Sequence, residues 1–314
     1  MKAKPFIKWA GGKGQLVEQL EKLMPSDFMS WEDATYIEPF IGGGAMLFHM
    51  LQQYPNIKHA VINDINEDLI TCYRTIRGNV GELIDELYRM QSQYYSLSDT
   101  EARCEMFMNI RQRYNEKNLN PIANTAMFIF LNRTCFNGLY RVNKKGLFNV
   151  PFGKSPHPTI CNEELLRTDS ELLQRVEILC GDFEHTIDYA GNANTIFYLD
   201  PPYRPLSETS SFNDYTKDGF NDQSQIRLKE FCDRISRKGL DFMLSNSDSK
   251  TKNGDEGFFD VLYAEYHIDR VMASRNINSN ASRRGKIPEI LVRNYGISKT
   301  ENDFEKNADL FQYA

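Results

Sequence analysis

The chain has 314 residues, 41% hydrophobic and 25% charged, with a net charge of −6. That composition suits one large domain or two smaller ones, and no apolar run reaches the length of a membrane span or forms the core of a secretory signal. Its six cysteines are scattered, with no Cys-x-x-Cys and no paired histidine, which argues against a disulfide framework or a metal site and fits a reducing cytoplasm.

In chain order, Trp9-Ala10-Gly11-Gly12-Lys13-Gly14 comes first. It is an imperfect phosphate loop: Gly14 follows Lys13 where Ser or Thr belongs, and the glycine spacing is wrong for a triphosphate. Lys13 is expected to meet a carboxylate instead, with Trp9 as a packing wall. Residues 34–40 form a predicted strand, followed by the glycine turn Ile41-Gly42-Gly43-Gly44, a helix over Ala45–Tyr54, and a second strand over His59–Asn63 that ends at Asp64. This is a βαβ unit. Residues 66–115 are helical in pattern, and 124–132 form a further helix or a buried strand. From Thr134 to Pro158 the texture turns to Gly, Asn, Pro and aromatics, which predicts a loop or β-hairpin. Strands resume at Glu177–Cys180, before Gly181-Asp182-Phe183, and at Thr195–Leu199, before Asp200-Pro201-Pro202-Tyr203. A helix near 223–237 and strands at Asp241–Ser245 and Glu289–Val292 complete the series. The expected class is α/β, with an unlike insert between two α/β segments.

The overall acidity argues mildly against a nucleic-acid partner, but its distribution argues the other way. No Asp or Glu occurs from Lys117 to Asn162, a stretch that holds Arg133, Arg141, Lys144, Lys145 and Lys154. A second basic cluster comprises Arg275, Arg283, Arg284 and Lys286. In a chain with 43 acidic residues, so long a gap marks an anion-facing surface rather than a chance solvated loop.

Asp200-Pro201-Pro202-Tyr203 carries the most chemistry. A strand that stops at two prolines presents its last groups at the carboxyl edge of the sheet, because proline cannot continue the ladder. A carboxylate, two proline carbonyls left free and an aromatic face together suit an exocyclic amino group on a flat base. A Pro-Pro turn with an incidental tyrosine is the plainer alternative. The turn at Phe40, Gly42 and Gly44 lets backbone N–H groups approach a ligand at a helix N-terminus. Asp64, twenty residues after Gly44, is placed to accept hydrogen bonds from ribose hydroxyls. By the same strand-end logic, Asp182 would accept from an adenine amino group and Phe183 would stack on its ring.

Taken in order, Trp9 to Lys13, Glu38-Pro-Phe-x-Gly-Gly-Gly44, Asn63-Asp64-x-Asn66, Leu131-Asn-Arg-Thr-Cys-Phe-Asn-Gly-Leu-Tyr-Arg141, Phe148-Asn-Val-Pro-Phe-Gly153, Gly181 to Phe183 and Asp200 to Tyr203 resemble the Dam/DpnM family of DNA adenine-N6 methyltransferases. The resemblance covers roughly residues 5 to 293. It implies a Rossmann-like methyltransferase sheet, with 1–68 and 174–314 as the catalytic domain and 69–173 as a mainly helical, hairpin-bearing recognition insert. It implies S-adenosylmethionine held by Trp9, Lys13, Phe40, Gly42, Gly44, Asp64 and Asp200, with Asp182 and Phe183 near its adenine. It also implies a target adenine flipped from double-stranded DNA to Asp200, Pro201, Pro202 and Tyr203. Leu139 matches a wedge into the base stack, Arg141 a guanine-reading arginine, and Lys8, Asn137 and Pro151 further DNA contacts. Lys154 stands where some relatives carry Arg, and lysine cannot make the planar bidentate contact. Such relatives commonly recognise GATC.

Two rivals explain less. A dinucleotide-dependent oxidoreductase would use the glycine turn and Asp64 but not the tetrad or the acid-free insert. A non-catalytic DNA-binding protein would not need a complete pocket. Cytosine N4 and RNA adenine remain alternative methyl acceptors; Asp200 favours adenine in DNA. No obligate protein partner is evident.

Overall fold

The computed structural model describes residues 2–14, 16–191, 193–203, 220–248, 257–274 and 286–296. Among these residues, seven strands form one sheet: β1 (Ala34–Glu38), β2 (Ile57–Asp64), β3 (Val176–Cys180), β4 (Thr195–Leu199), β5 (Asp241–Ser247), β6 (His267–Ser274) and β7 (Lys286–Arg293). Their order is β3-β2-β1-β4-β5-β7-β6. The first five run parallel, and β7 lies antiparallel between β5 and β6. The order reverses between β1 and β4, so their carboxyl ends open a crevice where open α/β sheets bind ligands.

The central strands β1 and β4 are buried at every position, as in a sheet covered on both faces. Strand alternation divides their side chains between two cores. Tyr36, Ile196, Tyr198 and Met243 pack on one face with the helices that follow β1 and β2. Ile37, Phe197, Leu199, Phe242 and Leu244 pack on the other, against Phe231 and Tyr263.

The helices are α1 (Val17–Glu21), α2 (Ala45–Gln53), α3 (Glu67–Gly78), α4 (Val80–Ser96), α5 (Thr100–Asn115), α6 (Pro121–Thr134), α7 (Glu163–Leu173), α8 (Asp222–Arg237) and α9 (Phe258–Leu262). Asparagine or aspartate side chains cap several of them: Asn66 on α3, Asp99 on α5, Asn120 on α6, Asn162 on α7 and Asn221 on α8 each accept from a backbone N–H in the first turn. The helical pattern over 66–115 resolves into α3, α4 and α5, and the ambiguous segment 124–132 lies inside α6. The expected boundary at 68/69 falls within α3, a helix that packs on β2 and β3 as well as on α6. After α6 the chain forms the expected hairpin, held by two isolated antiparallel bridges, Cys135 with Phe152 and Val142 with Phe148. Among the described residues, no helix is long and apolar enough to cross a membrane.

Candidate active site

The glycine turn is shaped by its neighbours. Gly44, at the N-terminus of α2, has φ +73°, and a Cβ there would lie 2.5 Å from the Tyr73 hydroxyl. Gly42 has φ +47°, and its Cβ would meet the Trp9 ring at 2.9 Å. Only glycine combines that backbone with that proximity. Asp64 fixes the turn from β2: one oxygen accepts from the Gly42 N–H at 3.1 Å and the other from the Asn66 N–H at 3.0 Å. Burial raises its carboxyl above the ordinary value, although these bonds oppose the rise. Asn63 donates to the carbonyls of Pro39 and Gly181, both at 3.0 Å, and so ties the ends of β1 and β3 together.

On the β3 side, Asp182 accepts from the Glu184 N–H at 3.0 Å and pairs with Arg227. Phe183 is buried, 5.2 Å from the Phe40 ring and 5.3 Å from Phe231. The Arg227 guanidinium lies 4.6 Å from its centroid. Phe183 thus packs into the core beside the half-buried Phe40.

Asp200 directly follows β4, across the crevice from the end of β1. One of its oxygens receives the Ser245 hydroxyl at 3.0 Å and lies 3.2 Å from the Lys13 ammonium. Burial raises its carboxyl to about 6, with Lys13 opposing the rise and Glu289 adding to it. Lys13 does meet carboxylates, as its residue type suggested, but they belong to the protein: it also donates to Glu289 Oε2 at 3.0 Å. The Tyr203 ring lies 4.3 Å below the same ammonium, and its hydroxyl donates to Glu289 Oε2 at 2.7 Å. Pro201 is buried and Pro202 exposed. The expectation that both proline carbonyls are free needs correction, since Gln225 Nε2 donates to the Pro202 carbonyl at 3.4 Å. On β1, burial raises Glu38 to about 8 despite a 2.6 Å hydrogen bond from Tyr36.

The hairpin approaches this edge through the N-terminal segment. Trp9 stacks on Tyr140 at 5.3 Å, and Tyr140 on Phe128 at 5.1 Å. Asn132 bridges the two segments: it accepts from the Lys8 N–H and donates to the carbonyls of Lys8 and Gly138, each at 2.9 Å. Lys8, Asn137, Arg141, Lys144, Lys145, Pro151 and Lys154 are exposed. Arg141 Nε donates to Asn149 Oδ1 at 2.8 Å, which steadies the guanidinium. Two of the expected DNA contacts are less exposed than the rest. Arg133 is half-buried and donates to the Phe6 carbonyl at 2.6 Å, so it braces the scaffold. Leu139 is half-buried against the core, whereas Phe136 is 51% exposed. Lys117, part of the basic stretch, is spent on Asp68 at 2.5 Å. Arg275, Arg283 and Arg284 lie outside the described residues.

Residues 9–277 match the family model described as D12 class N6 adenine-specific DNA methyltransferase. The chain belongs to this family. It is 47% identical to the type II methyltransferase M.MjaIII of Methanocaldococcus jannaschii, over 94% of this chain and 100% of that protein. It is 38% identical to the type II methyltransferase M1.LlaDCHI of Lactococcus lactis subsp. cremoris, over 93% and 96%, and 31% identical to a DNA adenine methylase of Vibrio cholerae, over 93% and 96%. The protein is therefore an adenine-specific DNA methyltransferase, an enzyme that needs a methyl donor and acts on DNA. Sequence reasoning missed Glu289, Ser245, Asn132 and Tyr140 as parts of the site. Glu289 left one trace: it shares a strand face with the core residue Leu291, an odd place for an acid.

Proposed function

We propose that this methyltransferase transfers a methyl group from S-adenosylmethionine to adenine N6 in duplex DNA, within GATC. The observation that carries the reading is the pairing, across the β1/β4 crevice, of the Asp64-braced glycine turn with Asp200. The turn, with its left-handed Gly44 and adjoining helix N-terminus, fits a nucleoside-bearing donor. Asp64 would take the ribose hydroxyls, while Trp9, Phe40, Asp182 and Phe183 would line the remainder. When bound, the donor supplies a methyl group on a sulfonium sulfur.

The protein's own part is to present the acceptor. Adenine N6 is a weak nucleophile because its lone pair is delocalised into the ring. Asp200 and the Pro201 carbonyl would accept its two hydrogens and favour a pyramidal nitrogen, and the flipped base would stack on Tyr203. The exposed Arg141, steadied by Asn149, would read a guanine through O6 and N7, while Lys8, Asn137, Leu139, Pro151 and Lys154 would complete the readout. Lys144 and Lys145, on the hairpin turn, would meet phosphates, as would Arg275, Arg283 and Arg284. In this reading 69–173 is the recognition insert, and α3 is its root in the catalytic domain.

The test is transfer of tritium from labelled S-adenosylmethionine into duplexes carrying GATC or single changes of it, with the product base identified by mass spectrometry. N6-methyladenine confined to GATC is expected. N4-methylcytosine, product in RNA alone, or an unrelated preferred site would overturn the corresponding part.

A further inference from the structure

Glu289 lies on β7, where it pairs with Ser247 of β5 and Val271 of β6. It is a nearly buried acid, 8% exposed, followed on its strand by the core residues Ile290, Leu291 and Val292. A buried carboxylate is retained only where partners offset its desolvation. Here one oxygen, Oε2, takes both partners: Lys13 Nζ at 3.0 Å and the Tyr203 hydroxyl at 2.7 Å. The same ammonium is 3.2 Å from Asp200. One lysine thus serves two carboxylates, one of which also holds the tyrosine of the acceptor pocket.

The sharing has a chemical consequence. If Lys13 faced Asp200 alone, that carboxylate would be neutralised and made a poorer acceptor for amino hydrogens. When adenine N6 commits its lone pair to a new carbon it must release one proton, and Asp200 is placed to take it. We propose that Glu289 is a positioning residue for methyl transfer, holding Tyr203 and Lys13 in register and sharing the ammonium that would otherwise neutralise Asp200. The proposal rests on the reading of Asp200 as the acceptor of the amino hydrogens. Other groups face Asp200 as well: Tyr36 and Glu38 from β1, Tyr198 from β4 itself, and Ser245 from β5, whose hydroxyl is 3.2 Å from that of Tyr198. None of them touches Tyr203 or Lys13 in the way Glu289 does.

The experiment compares wild type, Glu289→Gln and Tyr203→Phe, with Asp200→Asn used to assign the resonance. Asp200 is followed by titration of its 13C-labelled carboxyl in the ligand-free protein, and methyl transfer by single-turnover rates across pH, so that product release does not mask the step. Glutamine keeps an acceptor for Lys13 and Tyr203 but removes the charge. Asp200 should then titrate at lower pH, the acidic limb of the rate profile should move with it, and the plateau rate should fall roughly tenfold or more. Tyr203→Phe should slow transfer several-fold and leave the Asp200 titration in place. An Asp200 titration unmoved in Glu289→Gln, or wild-type rates in both variants, would overturn the proposal. If Asp200→Asn itself transferred methyl groups at near-normal rates, the reading of Asp200 would fail, while the titration would still decide whether Glu289 tunes it.

Discussion

The crevice at the sheet edge and the hairpin of the insert solve opposite problems. In the crevice, charged groups are withdrawn from water and held by one another: Lys13 between Asp200 and Glu289, and Asp64 on two backbone N–H groups. On the hairpin, Arg141, Lys144 and Lys145 remain in water, and asparagine side chains do the holding. The Asn143 side chain accepts from the N–H groups of Lys145 and Leu147, and Asn149 pins Arg141. Burial shifts ionisation equilibria and makes charge a chemical tool, whereas exposure leaves charge free to meet phosphates and base edges. Changes in the crevice should therefore alter rate and pH dependence, and changes on the hairpin should alter affinity and sequence choice.

The sharpest test of that division is Asp200→Ala. It should reduce methyl transfer by at least about 10³-fold while duplex affinity, measured by fluorescence anisotropy, stays within about twofold. In the wild type, the rate should fall as pH drops through about 6, where Asp200 gains its proton. Weakened DNA binding in the variant would erase the division between the two regions.

Asn132→Ala should breach the division, because that side chain joins Lys8 to Gly138. Chemical denaturation should show a loss of about 2–3 kcal/mol for the unpaired buried groups, and methylation of non-cognate duplexes should rise relative to GATC.

Within the hairpin, Arg141→Ala should cost roughly 1–3 kcal/mol of discrimination at one base pair. Lys144→Ala should instead weaken all sequences alike and lower the slope of log affinity against log salt by about 1. An equal loss on every duplex for Arg141→Ala would make it a phosphate contact.

A separate test on the crevice side concerns Glu38, whose carboxyl is raised from 4.5 to about 8 by burial. The folded protein holds that proton more tightly than the unfolded chain, so the stability it contributes is complete below about 4.5 and is lost as pH rises through about 8. Glu38→Gln should therefore melt a few degrees above wild type at about pH 9, with the gap closing by about pH 5. Scanning calorimetry at the two pH values checks it, and an equal gap at both would sever the effect from ionisation.

Local signals were enough for much of this. The apolar runs at 195–199 and 241–245, the glycine turn before α2 and the Pro-Pro stop after Asp200 are set by residues adjacent in sequence, where composition and backbone restriction act directly. Those signals, with the order of the motifs, determined the fold class, the family and the strand ends that form the crevice. Four elements went unread: α1 and α9 are five residues each and β6 is an edge strand, all dependent on partners that other segments supply, whereas α7 did carry a local signal in its Asn162 cap and first-turn acids. The roles of individual charges were likewise beyond local reading. Nothing near Lys13 in the sequence says that its partners stand at 200 and 289, and nothing near Arg133 or Lys117 says that Phe6 and Asp68 engage them. The sequence by itself determined which groups reach the site, because a strand and its stop are local. Only the tertiary structure decided which charges are spent on one another and which stay exposed, because burial and pairing belong to segments that meet only when the sheet closes.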